Sequence, residues 1–221
     1  MNAVNPRLQG LYVITDRVQC MRRGLVDSVA DALAGGARLV QYRDKSQDHR
    51  RRFEEALQLS GLCAAHGAAF IINDDVRLAR ATGAHGVHLG RDDTSVADAR
   101  ALLGTHAIIG VSCYDDFTLA EAGARAGADY VAFGSVFPSS TKPDAVRAPM
   151  KLFRRASEEL SVPACAIGGI NRDNIGEAVR AGATMLAVVS AVFAAGDIEA
   201  ATRELIGKIS ASREPRAANR K

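Results

Sequence analysis

The sequence predicts an α/β fold, a single (βα)8 TIM barrel, eight-stranded and parallel. Three observations carry that prediction. Eight short apolar runs follow one another along the chain, and segments with helical apolar spacing separate them. A Gly-Ala pair leading into an apolar run recurs at Gly36, Gly83, Gly127 and Gly182, at spacings of 47, 44 and 55 residues. Each spacing is too long for one strand-helix unit and suits two, so four repeats make eight units. A doubly wound open sheet is the alternative; the count of eight and the quarter-chain repeat favour closure. At 221 residues the chain is compact for a fold that typically takes about 250.

The strands are expected at Leu11 to Thr15, after Gly36-Ala37, at Ala69 to Asn73, after Gly83-Ala84, at Ala107 to Val111, after Gly127-Ala128, at Pro163 to Ile167 and after Gly182-Ala183. All are short and apolar, as strands covered on both faces should be. Each Gly of the repeat falls where a helix would end, since glycine tolerates the left-handed conformation of a helix C-cap. Leu25, Val26, Val29, Ala30, Leu33 and Ala34 form one helical stripe, and Val96, Ala99, Leu102 and Leu103 a second, started by Thr94 or Ser95. Ile175, Ala178 and Val179 follow Asn171 and Asp173, either of which could cap, and Ile198, Ala201, Leu205 and Ile206 close the series. Residues 1–209 are read as one barrel domain and 210–221 as a basic, disordered tail.

Composition excludes several classes of function. Net charge is +3, and the residues from Ala211 onward carry all of it through Arg213, Arg216, Arg220 and Lys221 against Glu214. The rest is neutral, so no nucleic-acid face is expected. Met1 to Gly10 has no apolar core of a signal peptide, and no stretch reaches the roughly 20 apolar residues of a membrane span. Cys20, Cys63, Cys113 and Cys165 show no zinc spacing and read as reduced thiols of a cytoplasmic protein.

Active sites in this fold lie at the C-terminal ends of the strands, and polar residues collect there. Gln41, Arg43 and Lys45 alternate along the end of strand 2 and share one side, as a phosphate or diphosphate clamp would; a solvated rim pair is the plainer reading. Asp74 and Asp93 follow neighbouring strands and could converge on Mg²⁺, which binds one or two carboxylates plus substrate phosphate; helix capping is the competing use. Gly168-Gly169 precedes a helix start, and Val189-Ser190 lies on the next strand, where a phosphate site recurs in this fold; a tight turn alone would also need glycines. Ser135 to Pro149 reads as a long structureless loop, either a lid or a surface loop, with hydroxyls beside Lys142 that suit a second anion. His88 is expected as a buried polar residue of the barrel rather than a general base. Cys113 and Cys165 are expected to pack, and His49-Arg50-Arg51-Arg52 to be the exposed start of a helix.

These residues resemble the thiamine-phosphate synthase family, barrel enzymes that join the pyrimidine and thiazole halves of thiamine. Seven segments carry the resemblance in register, from Leu11 to Asp16, Gln41 to Lys45, Ile72 to Asp75, Gly86 to Gly90, Ile109 to Ser112, Gly134 to Lys142 and Ile167 to Ile170. The resemblance implies that 4-amino-5-hydroxymethyl-2-methylpyrimidine diphosphate and hydroxyethylthiazole phosphate are coupled to thiamine phosphate and diphosphate, by a Mg²⁺-assisted dissociative displacement at the pyrimidine methylene. It implies that Gln41, Arg43, Lys45, Asn73, Ser112 and Lys142 bind the pyrimidine diphosphate, with Lys142, Arg43 and Lys45 stabilising the leaving group. Ser139, Thr141, Gly169, Val189 and Ser190 would bind the thiazole phosphate, and Asp74 and Asp93 one Mg²⁺. The partners are these two small phosphorylated substrates, with no nucleic acid and no membrane, and the assembly is a monomer or homodimer. Arg91-Asp92-Asp93 departs from the Gln-Glu-Asp common in the family, and Ser139 stands where Thr is common. A thiazole tautomerase of the same family, or a non-catalytic phosphate-binding barrel, is the alternative; neither needs Arg43, Lys45, Asp74, Asp93 and Lys142 together.

Overall fold

The structure is a computed structural model describing residues 5–138 and 146–214. Eight parallel strands close into a barrel in sequence order: β1 (Gly10–Ile14), β2 (Leu39–Tyr42), β3 (Ala69–Asn73), β4 (Gly86–Leu89), β5 (Ile108–Tyr114), β6 (Tyr130–Gly134), β7 (Ala164–Ile167) and β8 (Met185–Val188). Pairing of Tyr12 with Ala187 at one junction and Val13 with Val40 at the other closes the ring through β1. Around it run α1 (Arg17–Cys20), α2 (Leu25–Ala34), α3 (His49–Ala65), α4 (Val76–Ala81), α5 (Val96–Leu103), α6 (Phe117–Arg125), α7 (Lys151–Glu159), α8 (Ile175–Arg180), α9 (Ser190–Phe193) and α10 (Ile198–Arg213).

The period of two along each strand sorts the core into two layers. Leu11, Val13, Val40, Phe70, Ile72, Val87, Ile109, Val131 and Leu186 face outward and pack under the helices. Tyr12, Ile14, Leu39, Ala69, Ile71, Ile108, Tyr130, Ala132, Cys165, Met185 and Ala187 fill the barrel interior. The same alternation sends Gln41 and His88 inward, where both are buried polar residues. His88 is thus a barrel-layer residue, as its position in the strand predicted.

Two glycines are set by close approach. A Cβ on Gly35, after α2, would lie 2.5 Å from the Glu199 carbonyl oxygen, so glycine lets α2 and α10 close over the barrel seam. A Cβ on Gly110 would lie 2.0 Å from Cζ of Tyr130, so the tyrosine ring crosses β5 only because nothing projects there. We expect Gly110→Ala to cost about 1–3 kcal/mol from this overpacking. Chemical denaturation checks it, and an unchanged midpoint would mean that the ring has free space to move.

Several expectations change in detail. Strand 5 runs on to Tyr114, past the Ala107 to Val111 expected, with a bulge between Ser112 and Tyr114. The last helix continues to Arg213, beyond residue 209, where Arg213 Nη2 donates to the Thr184 carbonyl oxygen at 2.7 Å. The loop expected over Ser135 to Pro149 is not structureless at its ends: Ser135 bonds the backbone of Val146 and Ala148, and Val136 and Phe137 donate to Ile167 and Gly168. The His49 to Arg52 run does start α3, but Arg52 is mostly buried and its Nη2 bonds Asp75 at 2.9 Å. Arg51 ion-pairs with Asp44, Asp48 and Glu55. An arginine stem long enough to reach across a strand end turns toward carboxylates that only the tertiary fold brings near.

Candidate active site

Helix capping sorts the carboxylates at the rim. Asp16 caps α1, Asp48 caps α3, Asp75 caps α4 through the Leu78 N–H, Ser95 caps α5 through the Asp98 N–H, and Asp116 caps α6. Asp74 and Asp93 cap nothing. Each lies beside a cap already supplied by a neighbour, which removes the competing explanation for both.

Asp74 follows the end of β3 in the left-handed region, at φ 63°, a conformation that Asp tolerates better than most residues. Its N–H donates to the His88 carbonyl oxygen at 2.8 Å, and its Oδ2 lies 2.8 Å from Lys45 Nζ. Asp93 Oδ2 accepts from the Gly90 N–H at 2.6 Å. The two carboxyls interact directly and titrate in opposite senses. Burial opposes ionisation of Asp74, but the Lys45 ammonium and a hydrogen bond with Asp93 outweigh it and hold the carboxyl below its ordinary range. Burial raises Asp93, and the facing Asp74 adds to this against the Gly90 N–H. Two carboxylates that compete for one proton are a poor arrangement alone and a good one around a cation. Among the described residues no group of three or more His, Cys, Asp or Glu could hold a metal ion. A hard cation would thus take two carboxylate oxygens here and complete its shell from substrate and water, a set that fits Mg²⁺ rather than a softer metal.

Around this pair stand the strand 2 residues. Lys45 and Asn73 line a cavity of about 270 Å³ together with Asp74, Asp75, Ser46 and Arg52. A larger cleft of about 690 Å³, between α4 and α5, meets the site only at Asp74 and Asp75. The Arg43 N–H donates to Thr15 Oγ1 at 2.9 Å, and its guanidinium has no ion-pair partner among the described residues. Tyr42 and Asp44, the alternate residues, point away: the Tyr42 hydroxyl donates to Glu55, and Asp44 pairs with Arg51 at 2.9 Å, off the line of a hydrogen bond. Gln41 reaches inward and its Nε2 donates to the Tyr12 hydroxyl at 2.7 Å. Ser112 on β5 lies 2.9 Å from His88 Nε2. Burial pushes His88 down to about 4, against a smaller pull upward from Asp74, so the imidazole is neutral.

Across the mouth, Gly168 and Gly169 have φ of 101° and 64°. A Cβ on Gly168 would lie 2.1 Å from Ser135 Oγ, and one on Gly169 2.2 Å from the Pro138 carbonyl oxygen. Part of the glycine requirement is therefore the stem of the loop after β6, packed on this turn. Asn174 Nδ2 donates to the Gly169 carbonyl oxygen at 2.9 Å and holds the turn. Neither α8 nor α9 has a side-chain cap, and Val189 and Ser190 begin α9 at the end of β8. Asn171 and Asp173, the expected caps of α8, do not cap it; Asn171 Oδ1 instead accepts from the N–H of Asp173 and of Asn174. Ser139, Thr141 and Lys142 lie outside the described residues.

No cysteine is available as a nucleophile. All four are free and buried, and burial pushes the Cys113 thiol up to about 12 and Cys165 higher. Sequence reasoning missed the part played by Tyr12 and Tyr130 inside the barrel. Their alternation with apolar neighbours was visible, but which hydroxyl meets which partner depends on register between strands.

The family described as Thiamine monophosphate synthase matches residues 11–192. A thiamine-phosphate synthase of Thioalkalivibrio sulfidiphilus is 54% identical over 205 residues, covering 93% of this chain and 97% of that protein. One of Halorhodospira halophila is 53% identical over 213 residues, covering 96% and 100%. Among solved structures, a thiamine phosphate pyrophosphorylase from Pyrococcus furiosus superposes with a TM-score of 0.86 at 37% identity, covering 95% of this chain and 100% of that one. The fold is that of a (βα)8 barrel, and these relatives make it an enzyme of the transferase class. Within that class, the chain belongs to the thiamine monophosphate synthase family.

Proposed function

We propose that the barrel mouth couples hydroxymethylpyrimidine diphosphate with hydroxyethylthiazole phosphate, giving thiamine phosphate and diphosphate. The observation that carries this reading is the Asp74–Asp93 pair, unused as caps, with Lys45 beside it. A tautomerase or a passive phosphate binder has no use for that arrangement. The thiazole ring nitrogen forms the new bond to the pyrimidine methylene carbon. The C–O bond to diphosphate breaks, and its electron pair leaves with the diphosphate. In the dissociative form the C–O bond breaks first, leaving a pyrimidine cation that the thiazole nitrogen then captures.

Asp74 and Asp93 would hold one Mg²⁺, whose charge would offset that developing on the departing diphosphate. Arg43, Lys45 and Lys142 supply fixed positive charge toward the same oxygens. Gln41, Asn73 and Ser112 orient the pyrimidine diphosphate. Ser139, Thr141, Gly169, Val189 and Ser190 hold the thiazole phosphate, with backbone N–H groups at the ends of β7 and β8 as donors. No general base on the protein is needed, which agrees with a neutral, buried His88 and inert thiols. The cytoplasmic assignment rests on four cysteines carried as free thiols. Among the described residues no helix is long and apolar enough to cross a membrane.

The test is a coupling assay on purified protein with both substrates, with Mg²⁺ or with EDTA, following both products by chromatography. Formation of thiamine phosphate and diphosphate in equal amounts, abolished by EDTA, is the expected result. Thiazole phosphate binding without product would point to the tautomerase or the binding protein, and Arg91 would be the first residue to revert to Gln.

A further inference from the structure

Five side chains from five strands form one hydrogen-bonded chain across the barrel interior. Gln41 Nε2 lies 2.7 Å from the Tyr12 hydroxyl, which lies 3.0 Å from the Tyr130 hydroxyl. That hydroxyl is 2.9 Å from His88 Nδ1, and His88 Nε2 is 2.9 Å from Ser112 Oγ. Gln41, Tyr12 and Tyr130 are at most 2% exposed. The Tyr130 ring stacks on His88 with centroids 5.5 Å apart, through the gap that Gly110 leaves in β5.

The donors in this chain can be counted. An amide nitrogen only donates, so the Tyr12 oxygen accepts from Gln41. The one Tyr12 hydrogen then has a single partner among the described residues, the Tyr130 oxygen. The Tyr130 hydrogen must go to His88 Nδ1, which is therefore the bare nitrogen. The imidazole hydrogen sits on Nε2 and donates to Ser112 Oγ. An imidazolium fails the same count, because a hydrogen on Nδ1 would send the Tyr130 hydrogen back toward Tyr12 and leave the Tyr12 hydrogen buried without an acceptor. The Ser112 hydrogen is thereby turned away from His88 and left free for another acceptor.

We propose that this chain fixes the Ser112 hydroxyl as a donor to an oxygen of the bound pyrimidine diphosphate, with Tyr12, Tyr130 and His88 as positioning residues. The proposal rests on the reading above in which Ser112 contacts that substrate. The sense of the chain matters chemically. If the Gln41 carbonyl faced Tyr12, every bond would reverse, and Ser112 would offer an anion only lone pairs.

The tautomer can be observed directly. In protein with ¹⁵N-labelled imidazoles, long-range proton–nitrogen spectra should show His88 with a protonated Nε2 and a bare Nδ1, the signal being assigned by its loss in His88→Gln. A proton on Nδ1 overturns the proposal. Tyr130→Phe keeps the ring volume and should leave the tautomer mixed. It should also lower kcat/KM for the pyrimidine diphosphate by about tenfold through KM, with KM for the thiazole phosphate unchanged. An unmoved tautomer and KM in that variant would also overturn the proposal. His88→Gln, which can still present an N–H to Ser112, should retain more affinity than His88→Leu; equal losses would reduce His88 to packing. Ser112→Ala separates the two readings. The expected tautomer with an unchanged KM in that variant would overturn the substrate contact alone.

Discussion

Replacing Asp74 by Asn is expected to lower turnover about 10³-fold, which corresponds to roughly 4 kcal/mol of lost transition-state stabilisation. The substitution isolates charge. Asn adopts the left-handed conformation at φ 63° as readily as Asp, so the backbone at the end of β3 need not move. The lost ion pair with Lys45 is largely exposed on the lysine side, at 60%, so stability should change by less than about 1 kcal/mol. The chemistry loses more. One of two carboxylates that would hold the cation disappears, and Asp93, relieved of a facing charge, falls back toward an ordinary carboxylate. Lys45 loses the partner that positions it. Initial rates against Mg²⁺ concentration, with Mn²⁺ binding followed by paramagnetic resonance, check both parts. Turnover within tenfold of the parent, with Mn²⁺ affinity unchanged, would remove Asp74 from the cation site and with it the observation on which the functional reading rests.

Lys142→Ala is expected to cost about 10²-fold or more in turnover. The reasoning is electrostatic. In the proposed reaction diphosphate would leave as a highly charged anion, and among the described residues neither the neutral, buried His88 nor the buried thiols would serve to protonate it. In that reading the stabilisation would come from the bound cation and from fixed positive side chains. Arg43 and Lys45 follow β2 and would face the leaving group, and Lys142, which follows β6 in the sequence, would add a third positive charge. A loss confined to kcat would mark a contact made mainly in the transition state, whereas a loss confined to KM would make Lys142 a ground-state binding residue. Lys142→Arg should restore part of the rate, because charge rather than shape is the requirement.

Much of this protein was legible before its structure. Runs such as Ala69 to Asn73 and the recurrent Gly-Ala pairs were enough for eight parallel strands, because a strand buried on both faces has few ways to be written. The inward turn of His88 and the outward turn of Tyr42 and Asp44 follow from the same period of two. The segment from Ser135 was less legible. Its apolar start, Val136 and Phe137, looked like loop and proved to be paired with the end of β7. Arg52 looked like one of a solvated run and proved to reach Asp75.

Local chemistry alone thus determined the order of elements, the end of the barrel that carries charge, and the set of polar residues gathered there. Periodicity, capping preference and glycine placement act over a few residues, and a chain states them directly. Only the tertiary structure decided which of those residues were already committed. Asp75 and Ser95 took the caps and left Asp74 and Asp93 facing each other. Tyr12 and Tyr130, 118 positions apart, met in the interior and joined Gln41 to Ser112. Those outcomes depend on the register between strands and on where a side chain finds its partner, and both are settled by closing the barrel rather than by any stretch within it.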